Sequence, residues 1–358
     1  MEGSRSDHAP VRATPTAHPT QRPHVAAVVE DVIYAVVGTG LRRVGWRPRL
    51  QTFTGYGRPD RVRVMARVLL APPKAARRDR KRPTRRGFRN FLTVPAPQSS
   101  VRVTVAGHAV EVVTDRSGYV DVELDLPAGA HLPPGRQEVA LRCLDPADAV
   151  TVTAPLQVLD AAPRLGVISD IDDTTLVTGV PRPLLATWNT FVRRAGSRRA
   201  VPGMAGLFRD LEAAHGDLAV FYVSNGAWNT AGALRAFLER CGYPEGPLLL
   251  TDWGPTLTGW FRSGPQHKAA SIDLLMEWFG EVRWLLVGDD GQHDPQIYAD
   301  AVQRWPDRVA AVAIRQVTEG PTAGDPAPGT PSGVPVVRGR DGSALSAALA
   351  EVPGVLDA

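Results

Sequence analysis

The run Gly166-Val-Ile-Ser-Asp170-Ile-Asp172-Asp173-Thr174 drives an apolar strand directly into three carboxylates and a threonine. Like charges this close repel and are costly to desolvate, so acids clustered at the tip of a buried strand call for a neutralising cation. Carboxylate oxygens favour a hard ion such as Mg2+. Asp170 and Asp172 are two residues apart and share a face in an extended segment, where one can bind metal while the other handles protons. Taken alone, the same residues also describe a polar turn after a core strand, and the rest of the chain has to separate the two readings.

After Pro163 short apolar strands alternate with helical stretches: Leu165 to Ser169, Leu218 to Val223, Leu248 to Leu250, Trp284 to Val287 and Val309 to Ile314. This is the grammar of a parallel, doubly wound α/β sheet, whose ligands gather at the carboxyl ends of its strands. Helix punctuation agrees. Gly242 suits a C-cap, Pro265 suits the start of the helix carrying Lys268, and Asp294-Pro295 reads as an N-cap with proline at the first helical position.

Upstream, from about Arg47 to Leu159, the period is two, as in Arg61-Val-Arg-Val-Met-Ala-Arg-Val, Val101-Arg-Val-Thr-Val and Val120-Asp-Val-Glu-Leu-Asp-Leu. Turn signals at Ala106-Gly107-His108, Asp115 to Gly118 and Pro133-Pro134-Gly135 separate these half-buried strands, which predicts a small antiparallel β-sandwich without a catalytic constellation. The expected organisation is therefore a disordered leader over 1–24 and an amphipathic helix with the sandwich over 25–160. The α/β domain follows over 161–318, then a Gly- and Pro-rich linker with a weak terminal helix over 319–358.

The 358 residues, 43% of them hydrophobic, suffice for two domains with sizeable cores. Residues 1–24 lack the apolar core of a secretory signal, and the apolar segment Val25 to Gly38 is too short to span a bilayer and carries Glu30 and Asp31. Cys143 and Cys241 fall in different predicted domains and form no disulfide framework. A cytoplasmic protein with no transmembrane segment is expected.

The net charge of +4 is uneven: nine Lys and Arg between Lys74 and Arg89 face only Asp79, leaving −4 for the remainder. Interrupted by Pro83 and Gly87, this block reads as an exposed loop over 74–89. It is either simply solvated or drawn to an anionic membrane, where each cation contributes about 1 kcal/mol. Nucleic acid is not expected, since only Phe88 and Phe91 at one end offer stacking.

Three more features fall at predicted strand tips. Ser224-Asn225-Gly226 follows one strand and offers a hydroxyl and backbone amides to phosphate oxygens, though such a turn also simply caps a helix. Lys268, in the first turn after Pro265, can reach back to the sheet edge. Gly288-Asp289-Asp290-Gly-Gln-His-Asp294 is a second acidic cluster, and two acidic tips on one edge point to a metal site.

Asp-x-Asp-x-Thr, a strand ending in Ser, then Lys, then Gly-Asp-x4-Asp is similar to the ordered motif set of haloacid-dehalogenase-type phosphatases. More narrowly, Ser169 to Gly179, Tyr222 to Gly226 and Gly288 to Tyr298 resemble the actin-patch-protein type of phosphatidate phosphatase, over roughly Leu165 to Val317. Phe53-Thr-Gly-Tyr-Gly57 and Arg86-Gly-Phe-Arg89 look like the amino-terminal part of bacterial members. Asp290 departs from the serine more usual there.

The resemblance implies Mg2+-dependent hydrolysis of a phosphomonoester. Asp170 is then the nucleophile that forms an aspartyl-phosphate, and Asp172 protonates the leaving oxygen and activates water. Lys268 and Ser224 hold phosphoryl oxygens, and Thr174, Asn225 and Gly226 border the substrate. Asp170, Asp172 and Asp289 provide the metal site, with Asp294 beside it orienting Lys268 or a metal-bound water. Asp173 is read as a local hydrogen-bonding residue. A phospholipid, phosphatidate, is the implied substrate.

Only about forty residues, Thr175 to Asp217, separate the first two motifs, so any cap is small and the site open. Trp188, Trp228, Trp253, Trp260 and Phe261 are candidates for an apolar rim and equally for ordinary packing. The competing functions are hydrolysis of a soluble phosphomonoester, and a non-catalytic lipid-binding or scaffold module, which the intact Asp170, Asp172, Lys268 and Asp289 argue against.

Overall fold

The computed structural model describes residues 12–15, 37–72, 94–162, 164–177, 199–251, 264–291, 293–317 and 333–357. They fall into two compact units, one ending at Asp160 and the other beginning at Ala161.

The first unit holds β1 (Arg12–Pro15), β2 (Arg47–Thr52), β3 (Gly55–Arg58), β4 (Arg61–Ala71), β5 (Val94–Pro95), β6 (Ser100–Val105), β7 (His108–Val113), β8 (Tyr119–Asp125), β9 (Gly135–Cys143) and β10 (Val152–Val158). They pair in the order β1-β8-β4-β3-β10-β9-β6-β7, with β2 and β5 also joined to β4, as one hydrogen-bonded network. Every pairing is antiparallel except β3 with β10.

The period-two pattern explains β4. Val62, Val64, Ala66, Val68 and Leu70 are buried with Val120, Val122 and Leu124 of β8 in one core. The intervening Arg61 pairs with Glu123, and Arg63 grips Asp121 through two hydrogen bonds of 2.7 and 2.8 Å. Arg67 lies over the Tyr119 ring. The Ala106-Gly107 turn takes positive φ at both residues, as a tight hairpin between β6 and β7 requires.

The second unit runs β11 (Arg164–Asp170), β12 (Leu176–Val177), β13 (Arg199–Ala200), α1 (Met204–His215), β14 (Ala219–Ala227), α2 (Ala231–Cys241), β15 (Leu248–Thr251), α3 (Gly264–Trp278), β16 (Val282–Asp289), α4 (Asp294–Arg304), β17 (Val309–Arg315), β18 (Val336–Gly339) and α5 (Gly342–Leu349). Six strands form a parallel sheet in the order β15-β14-β11-β16-β17-β18, while β12 and β13 form a separate antiparallel pair. The helices pack as two pairs, α1 with α5 and α3 with α4. This unit is mixed α/β with a parallel sheet.

From β11 the chain winds one way to β14 and β15, then returns to place β16 on the opposite side of β11. The β11/β16 seam is thus the topological switch point, the place at the carboxyl ends of the strands where such sheets receive ligands. β11 is buried along almost its whole length, as a strand flanked on both sides must be.

Several expectations need correction. Within the expected leader, Arg12–Pro15 pairs with β8 as an edge strand. The chain after the expected linker is more than a weak helix: β18 completes the sheet beside β17, and α5 packs on α1. Short Val-Val-Arg-Gly carries too little pattern to announce a strand without the neighbour that pairs with it. Trp228 is only 7% exposed in a 3-10 turn and belongs to the core, not to a rim. Trp188, Trp253, Trp260 and Phe261 lie outside the described residues, as do the basic loop 74–89 and most of the Val25 to Gly38 helix.

Gly166 in β11 permits a close approach at the centre of the sheet. A Cβ placed there would sit 2.6 Å from the Trp284 ring and 2.8 Å from Val282. Trp284 is fully buried and meets Phe221 edge to face at 5.6 Å. Gly166→Ala therefore overpacks the centre of the sheet and is expected to lower unfolding stability by about 1–3 kcal/mol. Chemical denaturation checks this, and an unchanged midpoint would show that the indole has room to retreat.

Candidate active site

β11 and β16 end on adjacent carboxylates. Ser169 stands opposite Val287 in the pairing, so Asp170 and Asp289 emerge side by side from the sheet edge. Asp294, the first residue of α4, turns back towards them. One oxygen from each of Asp170, Asp289 and Asp294 lies within 4.8 Å of the others, and all three residues are buried.

Asp294 was expected as an N-cap. It is the first helical residue, and His293 precedes the helix without a side-chain cap bond. Its carboxylate instead serves the site, accepting from Lys268 Nζ through one oxygen and from the Asp289 backbone N–H at 3.3 Å through the other. The approach needs Gly288, since a Cβ there would lie 2.4 Å from Asp294 Oδ2 and 2.7 Å from the Tyr298 ring. Tyr298, one helical turn after Asp294, donates to the Val287 carbonyl at 2.9 Å. Its spacing from Asp294 is a signal the sequence carried and the motif reading passed over.

Lys268 is the cation among these acids. It lies in the second turn of α3 and is 2% exposed, and its Nζ donates to Asp170 Oδ1 at 2.9 Å as well as to Asp294. Burial alone would lower its pKa, but Asp170 and Asp294 outweigh that and hold it above the ordinary lysine value. Burial pushes Asp170 well up, against the pull of Lys268. Burial and the neighbouring Asp294 also push Asp289 up, to about 7. With all groups ionised the cluster holds three negative charges against one positive, a balance suited to a divalent cation.

Thr174 bridges the two tips, donating to Asp170 Oδ2 at 3.2 Å with Asp289 Oδ2 at 3.5 Å. Ser224, expected at the end of its strand, lies within β14, and its fully buried hydroxyl donates to Asp172 Oδ2 at 2.9 Å while accepting from Gly226 N–H at 2.9 Å. The serine thus holds the second aspartate. The β14–β15 register shifts between Val223 and Ala227, where Asn225 and Gly226 lie. Both of their carbonyls accept from Thr251. Asn225 Oδ1 is buried and makes no hydrogen bond among the described residues.

Asp290 is not among the three clustered carboxylates: its Oδ1 accepts from Val317 N–H at 2.7 Å and its N–H donates to the Arg315 carbonyl at 3.0 Å. It is a staple of the loop after β16. Asp173 adopts left-handed backbone (φ 55°) with its N–H on the Leu176 carbonyl at 2.8 Å, which agrees with a local hydrogen-bonding residue. Two side chains that no motif indicated also hold this loop. Tyr243 donates to the Thr175 carbonyl at 2.9 Å, and the Arg315 guanidinium donates to the Asp173 carbonyl.

A carboxyl whose folded pKa exceeds its unfolded value, as Asp289 does, binds its proton more tightly in the folded state. The stability this contributes is present at low pH and is lost as pH rises from about 4 to about 7. Metal-free protein is therefore expected to lose thermal stability from pH 5 to 8, and Asp289→Asn to flatten that dependence. Melting curves in chelator check this; a stability that rises over the same window would contradict it.

Residues 165–316 match the family model for the phosphatidate phosphatase APP1 catalytic domain. Phosphatidate phosphatase APP1 of Saccharomyces cerevisiae is 27% identical over 198 residues, covering 55% of this chain and 30% of that protein. An uncharacterized protein of Schizosaccharomyces pombe is 26% identical over 154 residues, covering 43% of this chain and 25% of that protein. The matched segment thus spans less than a third of either relative. A solved HAD domain of the effector protein Lem4 from Legionella pneumophila overlaps 45% of this chain and 90% of its own at 16% identity, with a TM-score of 0.30, too low to bear on function. On the ordered motifs and these sequence matches, the segment 165–316, less than half of the chain, is similar to the phosphatidate phosphatase APP1 catalytic domain.

Proposed function

We propose that the protein is a Mg2+-dependent phosphomonoester hydrolase that works through an aspartyl-phosphate on Asp170 and takes phosphatidate to diacylglycerol and phosphate. The observation that carries this reading is the packing of Asp170, Asp289 and Asp294 around Lys268 at the switch point, with Asp172 held by Ser224 next to them. The family match supplies the substrate class.

The donor set fits magnesium. Lys268 bonds two of the three buried carboxylates, Asp170 and Asp294, while Asp289, with no cation bonded to it among the described contacts, is pushed towards its neutral form. A hard cation held by Asp170 and Asp289, with Asp172 and Asp294 at its margin, would favour their ionised forms. When bound there, magnesium supplies positive charge that offsets the repulsion between a carboxylate nucleophile and a phosphate dianion.

The residues then divide the work. Asp170 attacks phosphorus, the bond from phosphorus to the alcohol oxygen breaks, and Asp172 gives that oxygen its proton. Asp172 next takes a proton from water, the resulting hydroxide attacks the aspartyl-phosphate, and inorganic phosphate leaves with Asp170 restored. Lys268 stabilises phosphoryl oxygens as charge redistributes, while Thr174, Asn225 and Gly226 border the substrate. Ser224 keeps Asp172 oriented and is read as a donor to a phosphoryl oxygen.

In this reading the chain divides into a β unit that ends at Asp160 and a catalytic unit that begins at Ala161 and includes β18 and α5. The β unit is read as a small sandwich, supported by the approach of β2 to β9 and β10, with which it does not pair. The basic loop 74–89 is read as a peripheral contact with anionic membrane, and the protein as cytoplasmic. In support, no helix among the described residues is long and apolar enough to cross a membrane.

The test is phosphate release from short-chain phosphatidate, vesicle-borne phosphatidate and a panel of soluble phosphomonoesters, with and without Mg2+. Phosphatidate is expected to be preferred, with activity lost in chelator. Asp170→Asn is expected to lower kcat by roughly 10^3-fold or more. Neutralising the 74–89 cations is expected to slow only the vesicle reaction. Activity confined to soluble esters would remove the lipid assignment, and undiminished activity in Asp170→Asn would remove the mechanism.

A further inference from the structure

The loop carrying Asp172 is built on an unfavourable residue. Asp173 has φ 55°, a left-handed region that is strained for a residue with a Cβ and persists where surrounding contacts over-determine it. Inside the loop, the Asp173 N–H donates to the Leu176 carbonyl, and the Thr175 and Leu176 N–H groups both donate to the Ile171 carbonyl. That closes a tight turn immediately after Asp172, so the peptide at Asp173 fixes where the Asp172 carboxylate points.

The peptide is gripped from outside by Arg315, the last residue of β17, whose guanidinium donates to the Asp173 carbonyl. Arg315 stands opposite Asp289 in the β16–β17 pairing and opposite Gly339 in the β17–β18 pairing. Its Nε donates to the Arg340 carbonyl at 3.3 Å, and its own carbonyl accepts from Asp290 N–H at 3.0 Å. One side chain and its backbone therefore join the Asp172 loop, the loop after β16 and the β18–α5 junction. Segment 336–349, which supplies that junction, lies beyond the 165–316 family match.

We infer that Arg315 is a positioning residue that sets the direction of Asp172 through the Asp173 carbonyl, with the carboxy-terminal strand and helix as its backing. The inference rests on the reading of Asp172 as proton donor to the leaving oxygen. Asp172 also activates water in the second step, which is common to every ester, so the distinguishing quantity is kcat/KM, which covers the steps only through departure of the leaving group. There a misdirected donor is costly when the leaving oxygen needs a proton, which separates this role from simple structural support. A phenolate such as 4-nitrophenolate departs with little help, and the alkoxide of a lipid or other alcohol does not.

The experiment compares short-chain phosphatidate with 4-nitrophenyl phosphate in wild type, Arg315→Ala, Arg315→Lys and Asp172→Asn, each checked for folding by its melting curve. Arg315→Ala is expected to lose about 100-fold in kcat/KM on the alkyl ester and under about 10-fold in kcat/KM on the nitrophenyl ester. Arg315→Lys retains a donor for the carbonyl and is expected to recover most of the difference. Equal losses of kcat/KM on both esters in a folded Arg315 variant would overturn the inference while leaving the proposed function intact. Absence of leaving-group selectivity in Asp172→Asn would overturn both the assignment of Asp172 and the inference. If Arg315→Ala does not fold, Arg315→Gln, which keeps a neutral donor, carries the same comparison, and the same equal losses would overturn it.

Discussion

Three clustered carboxylates, two of them paired with one buried lysine, are the arrangement to which the rest of the α/β unit answers. Such a cluster is unfavourable by itself, because desolvation penalises each charge and the acids repel one another. It persists because the sheet topology delivers Asp170 and Asp289 on neighbouring strands and the starts of two helices bring Lys268 and Asp294 to the same edge. The fold thus holds charge that a divalent cation would balance, at the switch point where α/β sheets receive ligands.

The surrounding residues show how tightly that position is specified. Gly288 is small so that Asp294 and Tyr298 can approach the strand, and Thr174 ties the two acidic tips together. Asp172 sits outside the three-carboxylate group, held by Ser224, on a loop that Tyr243 and Arg315 fasten by its carbonyls. Separation of this kind suits two acids with different tasks, one in the charged cluster and one free to exchange a proton.

Much of this was legible in the sequence wherever the pattern was local. Apolar runs ending in polar residues located β11, β14, β15, β16 and β17, and the acidic tips marked Asp170 and Asp289 because buried like charges are conspicuous. The direction of Asp294 was not legible, since an Asp-Pro pair announces a helix start whether its carboxylate caps the helix or leaves it. Ser224 read as a substrate donor because its partner Asp172 is 52 residues away. Arg315 left a trace of the same kind as the acids, a lone cation at the tip of an otherwise apolar strand, but its meaning depends on a carbonyl 142 residues distant. The sixth strand was missed because four residues gain strand identity only from the neighbour they pair with.

The account stands or falls on the chemistry assigned to Asp170. The most direct measurement is mass spectrometry of peptides from enzyme acid-quenched during turnover of short-chain phosphatidate with Mg2+. The account requires phosphate on the peptide carrying Asp170, absent from Asp170→Asn and accumulating when Asp172 is replaced by a residue able to donate a proton poorly but unable to activate water. Turnover with no phosphorylated peptide, or with phosphate on a different residue such as Ser224, would contradict it.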